Sequence, residues 1–227
     1  MNFSVTVNIT PKTAAKLLLS GELDLASNLS LECVCNILNE LMRLSTKELL
    51  GIVDNSRYGN DADVRYIPQF GKIDTIAEVP TYFEKYGNRC ADCPQLGFYL
   101  KNDLSATLVA NTKFGENHGK AASLLGIVDY QDNRFCPTFL TSAFCTFSKE
   151  DQQKILSKLF FRVPIIQILL RAARNNPVNG YSPMYQLSSS TRVRRGYNIK
   201  GILNFLKELA DPELMSRIDN IYWEDEA

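Results

Sequence analysis

The sequence predicts a mostly helical α+β fold. Apolar side chains make up 45% of the 227 residues, enough for a packed core. Over several long stretches they recur at three- and four-residue spacings, the period of a half-buried helix. Strand-like patterns occur at FSVTVNI, residues 3–9, and at IVDYQDNRFCPTFL, residues 127–140, where Gln-Asp-Asn-Arg separates two short runs.

Taken in order, Thr10-Pro11 opens a helix with proline in its first turn, and Gly21 closes it. A second helix fits residues 29–45, with Leu31, Val34, Cys35, Leu38, Leu41 and Met42 on one face. Residues 46–74 read as turn-rich, with a loop at NSRYGND, and 77–87 as a short helix or an extended connector. Residues 95–100 suit a short helix or strand. Residues 105–115 and 116–126 read as two helices, the first capped by Ser105 and the second stopped at Gly126. Ser148 caps a helix running to about residue 161, and Pro164 opens a strongly apolar one. After a loop over 180–190, residues 191–210 form a long helix stopped by Asp211-Pro212, and 211–227 form a small acidic cap.

Net charge is zero but unevenly placed. Residues 1–100 carry 9 basic and 12 acidic side chains, residues 101–210 carry 15 and 7, and the tail carries 1 and 6. A local excess of this sign attracts polyanions.

Helix, turn, helix, strand, turn, strand between residues 105 and 140 is the order of a winged helix, in which the second helix lies in the major groove of DNA. The residue types suit that task. Lys113 and Lys120 neutralise phosphates, Asn117 pairs with adenine and His118 donates to a base or phosphate. Ser123 and its small neighbours allow close approach, and Arg134 sits in the wing turn. A second basic helix begins at SSSTRVRRGYN. Ser190 or Thr191 caps it, Arg192, Arg195 and Asn198 share a face with Arg194 beside them, and the arginines offer guanidinium forks to phosphate. The expected organisation is therefore two tandem winged-helix-like units, 95–147 and 148–227, behind an N-terminal α+β domain, 1–94.

Residues 116–170 (ENHGKAASLLGIV, then FCPTFLTSAFCTFSKEDQQKILSKLFFRVPIIQILL) and the basic helix TRVRRGYNIKGILNFLKEL resemble the winged-helix modules of bacterial type II restriction endonucleases. The likeness covers about residues 95–210 and is one of pattern. A weaker one exists to regulatory winged helices of some transporter ATPases. The resemblance implies double-stranded DNA as partner and a role in sequence recognition or regulation in restriction-modification or phage defence. A nuclease or methyltransferase partner chain and a homodimer are compatible with it.

Two alternatives stand beside it. One is a small type II endonuclease that uses Mg²⁺, and the other is a winged-helix protein–protein module. A nuclease centre needs an acidic residue on one strand and an acidic-x-Lys triplet on the next. Asp74 precedes Glu84-Lys85 without that spacing, and Asp61 and Asp63 lack a paired lysine, so no catalytic residue and no resident cofactor is assigned.

Cys33, Cys35, Cys90 and Cys93 are four candidate zinc ligands, but residues 33 and 35 of a helix point about 200° apart, a poor ligand geometry. Six buried, reduced thiols are expected instead. No apolar run approaches the ~20 residues that span a bilayer, and the first ten residues lack a secretion pattern. The expected location is cytoplasmic.

Overall fold

The computed structural model describes residues 9–23, 29–103 and 105–224. The strand expected over 3–9 lies almost wholly outside them. The described residues are mostly helical, with two small sheets.

Local chemistry sets the helix ends. Helix α1, Pro11–Ser20, is capped by the Thr10 hydroxyl and ends at Gly21 in the left-handed region, φ 77°. Helix α2, Leu31–Arg43, buries Val34, Ile37, Leu38 and Leu41. Residues 46–54, expected to be turns, form helix α3, Thr46–Asp54. A reciprocal Ser45–Glu48 capping box nucleates it, a signal present in the sequence as Ser-x-x-Glu.

The middle of the chain runs α4 (Ile73–Lys85), β1 (Ala91–Asp92), α5 (Cys93–Lys101), α6 (Leu108–Leu124), β2 (Val128–Gln131) and β3 (Arg134–Pro137). The three strands are antiparallel in the order β1-β3-β2. Asp132 and Asn133, at φ 49° and 61°, make the two-residue hairpin turn between β2 and β3. Helices α7 (Phe139–Cys145), α8 (Lys149–Leu159) and α9 (Pro164–Ala172) follow. Strand β4 (Val178–Asn179), helix α10 (Ser189–Lys207), helix α11 (Pro212–Asp219) and strand β5 (Ile221–Tyr222) complete the described chain.

One expectation concerns α6: the structure has a single long helix, Leu108–Leu124, where two were expected over 105–115 and 116–126. Thr107 caps it, while Ser105 bonds Asp103 instead. Behind the second basic helix, where a small acidic cap was expected, the described residues form α11 and a strand paired parallel to β4.

The expected boundary between the two helices falls at Gly115, which instead sits in mid-helix where α5 crosses α6. A methyl group on Gly115 would overlap the Cys93 carbonyl oxygen and lie 2.6 Å from the Gly97 nitrogen. On Gly97 it would overlap the Asn111 carbonyl. Alanine in place of a helical glycine gains about 1 kcal/mol of intrinsic propensity. Pushing two backbones apart costs about 3 kcal/mol. Gly115→Ala is therefore expected to destabilise the fold by about 2 kcal/mol in urea denaturation. A variant as stable as the parent would mean that the two helices do not cross this closely.

Buried apolar side chains form one contiguous cluster from Ala14 to Ile221, shared by all three expected segments. Polar side chains tie the N-terminal helices to the rest. Lys158 donates to the Leu44 carbonyl, Gln167 to Leu19 and Arg171 to Ser56 and Tyr58. Cys90, just before β1, and Cys136, in β3, are joined as a disulfide, which overturns the expectation of six reduced thiols. The other four cysteines are free. Among the described residues, no helix is long and apolar enough to cross a membrane.

Candidate nucleic-acid interface

Helix α6 carries most of the candidate residues. One stripe of it is buried: Asn111, Gly115, His118, Gly119 and Ala122. This stripe packs on α5 and on Phe135 of β3, whose ring covers the space where a Gly119 side chain would lie. The opposite face is polar. Lys113 and Lys120 lie 2.8 and 2.7 Å from the two carboxylate oxygens of Glu116. The Lys113 hydrogen bond, then that of Lys120, holds the Glu116 carboxyl below its usual range despite partial burial. Lys120 also sits over the Tyr130 ring, 5.0 Å from its centre.

His118 does not belong to that face. It is only 1% exposed, and both ring nitrogens are engaged. The Gly71 amide donates to Nε2, so Nδ1 carries the proton and donates to the Phe114 carbonyl. Burial pushes its pKa down and keeps it neutral. The expected base-reading role is corrected: His118 ties the residues before α4 to α6.

The second basic helix contributes unequally. Ser188 occupies its N-cap position, not Ser190 or Thr191, and the Thr191 hydroxyl accepts from Ser188. Arg192 lies over Tyr185 and donates to the Leu187 carbonyl. Asn198 accepts from the Phe70 amide and donates to the Arg194 carbonyl, so its amide is committed to structure. Arg195 is half-buried and donates to the Ile67 carbonyl, while its Nε is buried without a partner. Burial, then Arg194 nearby, lowers the Arg195 pKa. Exposed Arg194 lines a hollow of about 580 Å³ with Lys72 and Tyr197. Arg134, at the start of β3, donates to the Cys90 carbonyl.

Lys113, Asn117, Lys120, Ser123 and Arg195 line one groove of about 470 Å³. Its far wall is residues 64–69, and Tyr130 closes one side. Thr191, Arg192 and Arg134 lie outside it. The sequence reading missed Arg65, Tyr66, Tyr130 and Glu116. Only Glu116 had a local signal, three residues after one lysine and four before the other. Among the described residues no three His, Cys, Asp or Glu side chains gather to hold a metal. The weighed sulfur set is not together either, since Cys90 is bonded to Cys136.

Comparison of the chain with family models, curated proteins and solved structures finds no match.

Proposed function

We propose that this chain binds double-stranded DNA through a winged helix spanning Ile73–Pro137, as a recognition or regulatory component of restriction-modification or phage defence. One observation carries the reading. The order α4-β1-α5-α6-β2-β3, with the sheet ordered β1-β3-β2, puts a hairpin directly behind a helix bearing exposed lysines. In that arrangement α6 meets the major groove and the hairpin meets the flanking backbone. Lys113 and Lys120 contact phosphates, Asn117 reads a base and Arg134 stands at the wing. Glu116 compensates part of the lysine charge, so the phosphates must displace its ion pairs. Arg194, Arg195 and Lys72 add positive charge alongside. A cytoplasmic location goes with this reading.

Anisotropy titrations of a labelled duplex across a salt series test it. The Lys120→Ala variant is expected to weaken binding to all sequences and to reduce the salt slope by about 1. Asn117→Ala is expected to cost roughly 1–3 kcal/mol at one base position. A chain that leaves the duplex unbound at low salt, or a slope untouched by Lys120→Ala, defeats the proposal.

A protein–protein module is the second reading. It is favoured by Leu108 and Val109, 60% and 78% exposed on the first turn of α6, and by Phe98 of α5, 46% exposed. Such a module flows through heparin at moderate salt. The nuclease alternative has less support. Asp74 and Glu84 lie at opposite ends of one helix, α4, not on paired strands, and Gln153 bonds Asp74.

A further inference from the structure

The groove beside α6 has a chemistry of its own. Its volume, about 470 Å³, lies in the range of small-molecule sites. Val64, Ile67, Pro68 and Leu124 give it apolar walls, and the rings of Tyr66 and Tyr130 add flat surfaces. Its charge is positive on balance. Arg65 is neutralised by Asp63 at 2.6 Å, and Glu116 offsets one of the two lysines. One lysine charge and the Arg195 guanidinium remain uncompensated in the lining. Arg195 is part of that lining, and its Nε is buried without an acceptor. Lys113 and Lys120 stand at the rim, with side chains 60% and 46% exposed, whereas Arg195 lies inside. A duplex is too wide to enter this space and meets only the rim.

We infer that the groove between α6 and residues 64–69 binds a small planar anion of mononucleotide size, and that the bound ligand competes with DNA for the α6 face. The ring lies against Tyr66 or Tyr130, the anionic group meets Arg195 and Lys120, and the Asn117 amide hydrogen-bonds the ring edge. The ligand site stands on the groove alone. The competition rests on the DNA-binding reading.

Calorimetric titration of the full chain with the four nucleoside 5′-monophosphates and with benzoate tests the site. Inorganic phosphate and adenosine serve as the separated halves. At least one ring-bearing anion is expected to bind saturably, at least about tenfold tighter than either half. Tyr66→Ala, which removes a ring 41% exposed and leaves the core untouched, is expected to weaken that binding about tenfold with unchanged melting. Arg195→Gln is expected to weaken it as much or more, although it also loosens the tie to Ile67. If none of these anions saturates, or if Tyr66→Ala and Arg195→Gln both bind like the parent, the site does not exist. In the second arm the tightest anion is added to the duplex complex, and displacement is expected. Anion binding without duplex binding rejects the DNA reading alone. Duplex binding without anion binding rejects the groove site alone. Simultaneous, independent binding of both rejects the competition.

Discussion

Reduction of the Cys90–Cys136 bond is expected to lower the stability of the fold by about 4 kcal/mol. The bond joins residues 46 apart in sequence. The closed segment holds β1, α5, α6 and β2, so nearly the whole helix–hairpin unit lies within one covalent loop. In the unfolded chain that loop has far fewer conformations than an open segment, and the loss of entropy on folding is correspondingly smaller. The measurement is urea denaturation with and without a thiol reductant, repeated with Cys136→Ser. The reductant should destabilise the parent and leave the variant unmoved. A difference under about 1 kcal/mol in the parent would mean that the link is not made. The bond also pins β1 to β3 behind α6, next to the Cys90 carbonyl that receives Arg134. Under the proposed DNA-binding function, duplex affinity is therefore expected to fall on reduction as well. In a reducing compartment glutathione opens such links, so the cytoplasmic reading predicts the weaker, reduced form there.

Replacing Arg217 by alanine is expected to cost about 3–5 kcal/mol. Its side chain is 2% exposed and joins three elements. Two hydrogen bonds, of 2.6 and 3.1 Å, reach the carboxylate of Asp54, the last residue of α3. A third, of 2.7 Å, reaches Glu213 one turn back in α11, and a longer one reaches the Leu170 carbonyl of α9. Removing the guanidinium takes two charge-assisted hydrogen bonds from Asp54, only 19% exposed, and leaves it Arg174 at 3.3 Å and the field of Arg171. The loss is large because a largely buried carboxylate loses its hydrogen-bonded partner, not because an ion pair is intrinsically strong. Asp54 also sets a pH dependence. The hydrogen bonds from Arg217 depress its pKa against the opposing effect of burial. That stabilisation is complete above the ordinary carboxylate value of about 3.9 and is lost as pH falls through the lower folded value. Urea midpoints at neutral pH and below pH ~4 check both points. Asp54→Asn should be less stable than the parent at neutral pH and should lose less on acidification. Equal acid sensitivity in the two proteins would remove Asp54 from the account.

Much of the fold is legible in neighbouring residues. The helix starts at Thr10-Pro11, Ser148 and Pro164, the Asp132-Asn133 hairpin and the long basic helix all follow from caps, turn residues and spacing. Helix α3 was legible too, through Ser45 and Glu48, although the glycine and polar residues after it read as turns. The candidate site was less so. Lys113, Asn117, His118 and Lys120 are expected together at one helix front, but His118 points the other way, into the stripe of Asn111, Gly115 and Ala122. A helix rotates by about 100° per residue, so adjacent polar residues do not share a face. The expected front grouped Asn117 and His118, which that rotation sets about 100° apart.

By itself the sequence determined the helical class and the hairpin, because each depends on residues within about four positions of one another, and the uneven charge, which is a count along the chain. The tertiary structure alone decided that α6 runs through Gly115, that Cys90 pairs with Cys136, that His118 receives the Gly71 amide, and that residues 64–69 face α6 across a groove. Each of these joins residues or elements that local patterning does not link. Their partners are chosen by packing and close backbone approach once the whole core has formed.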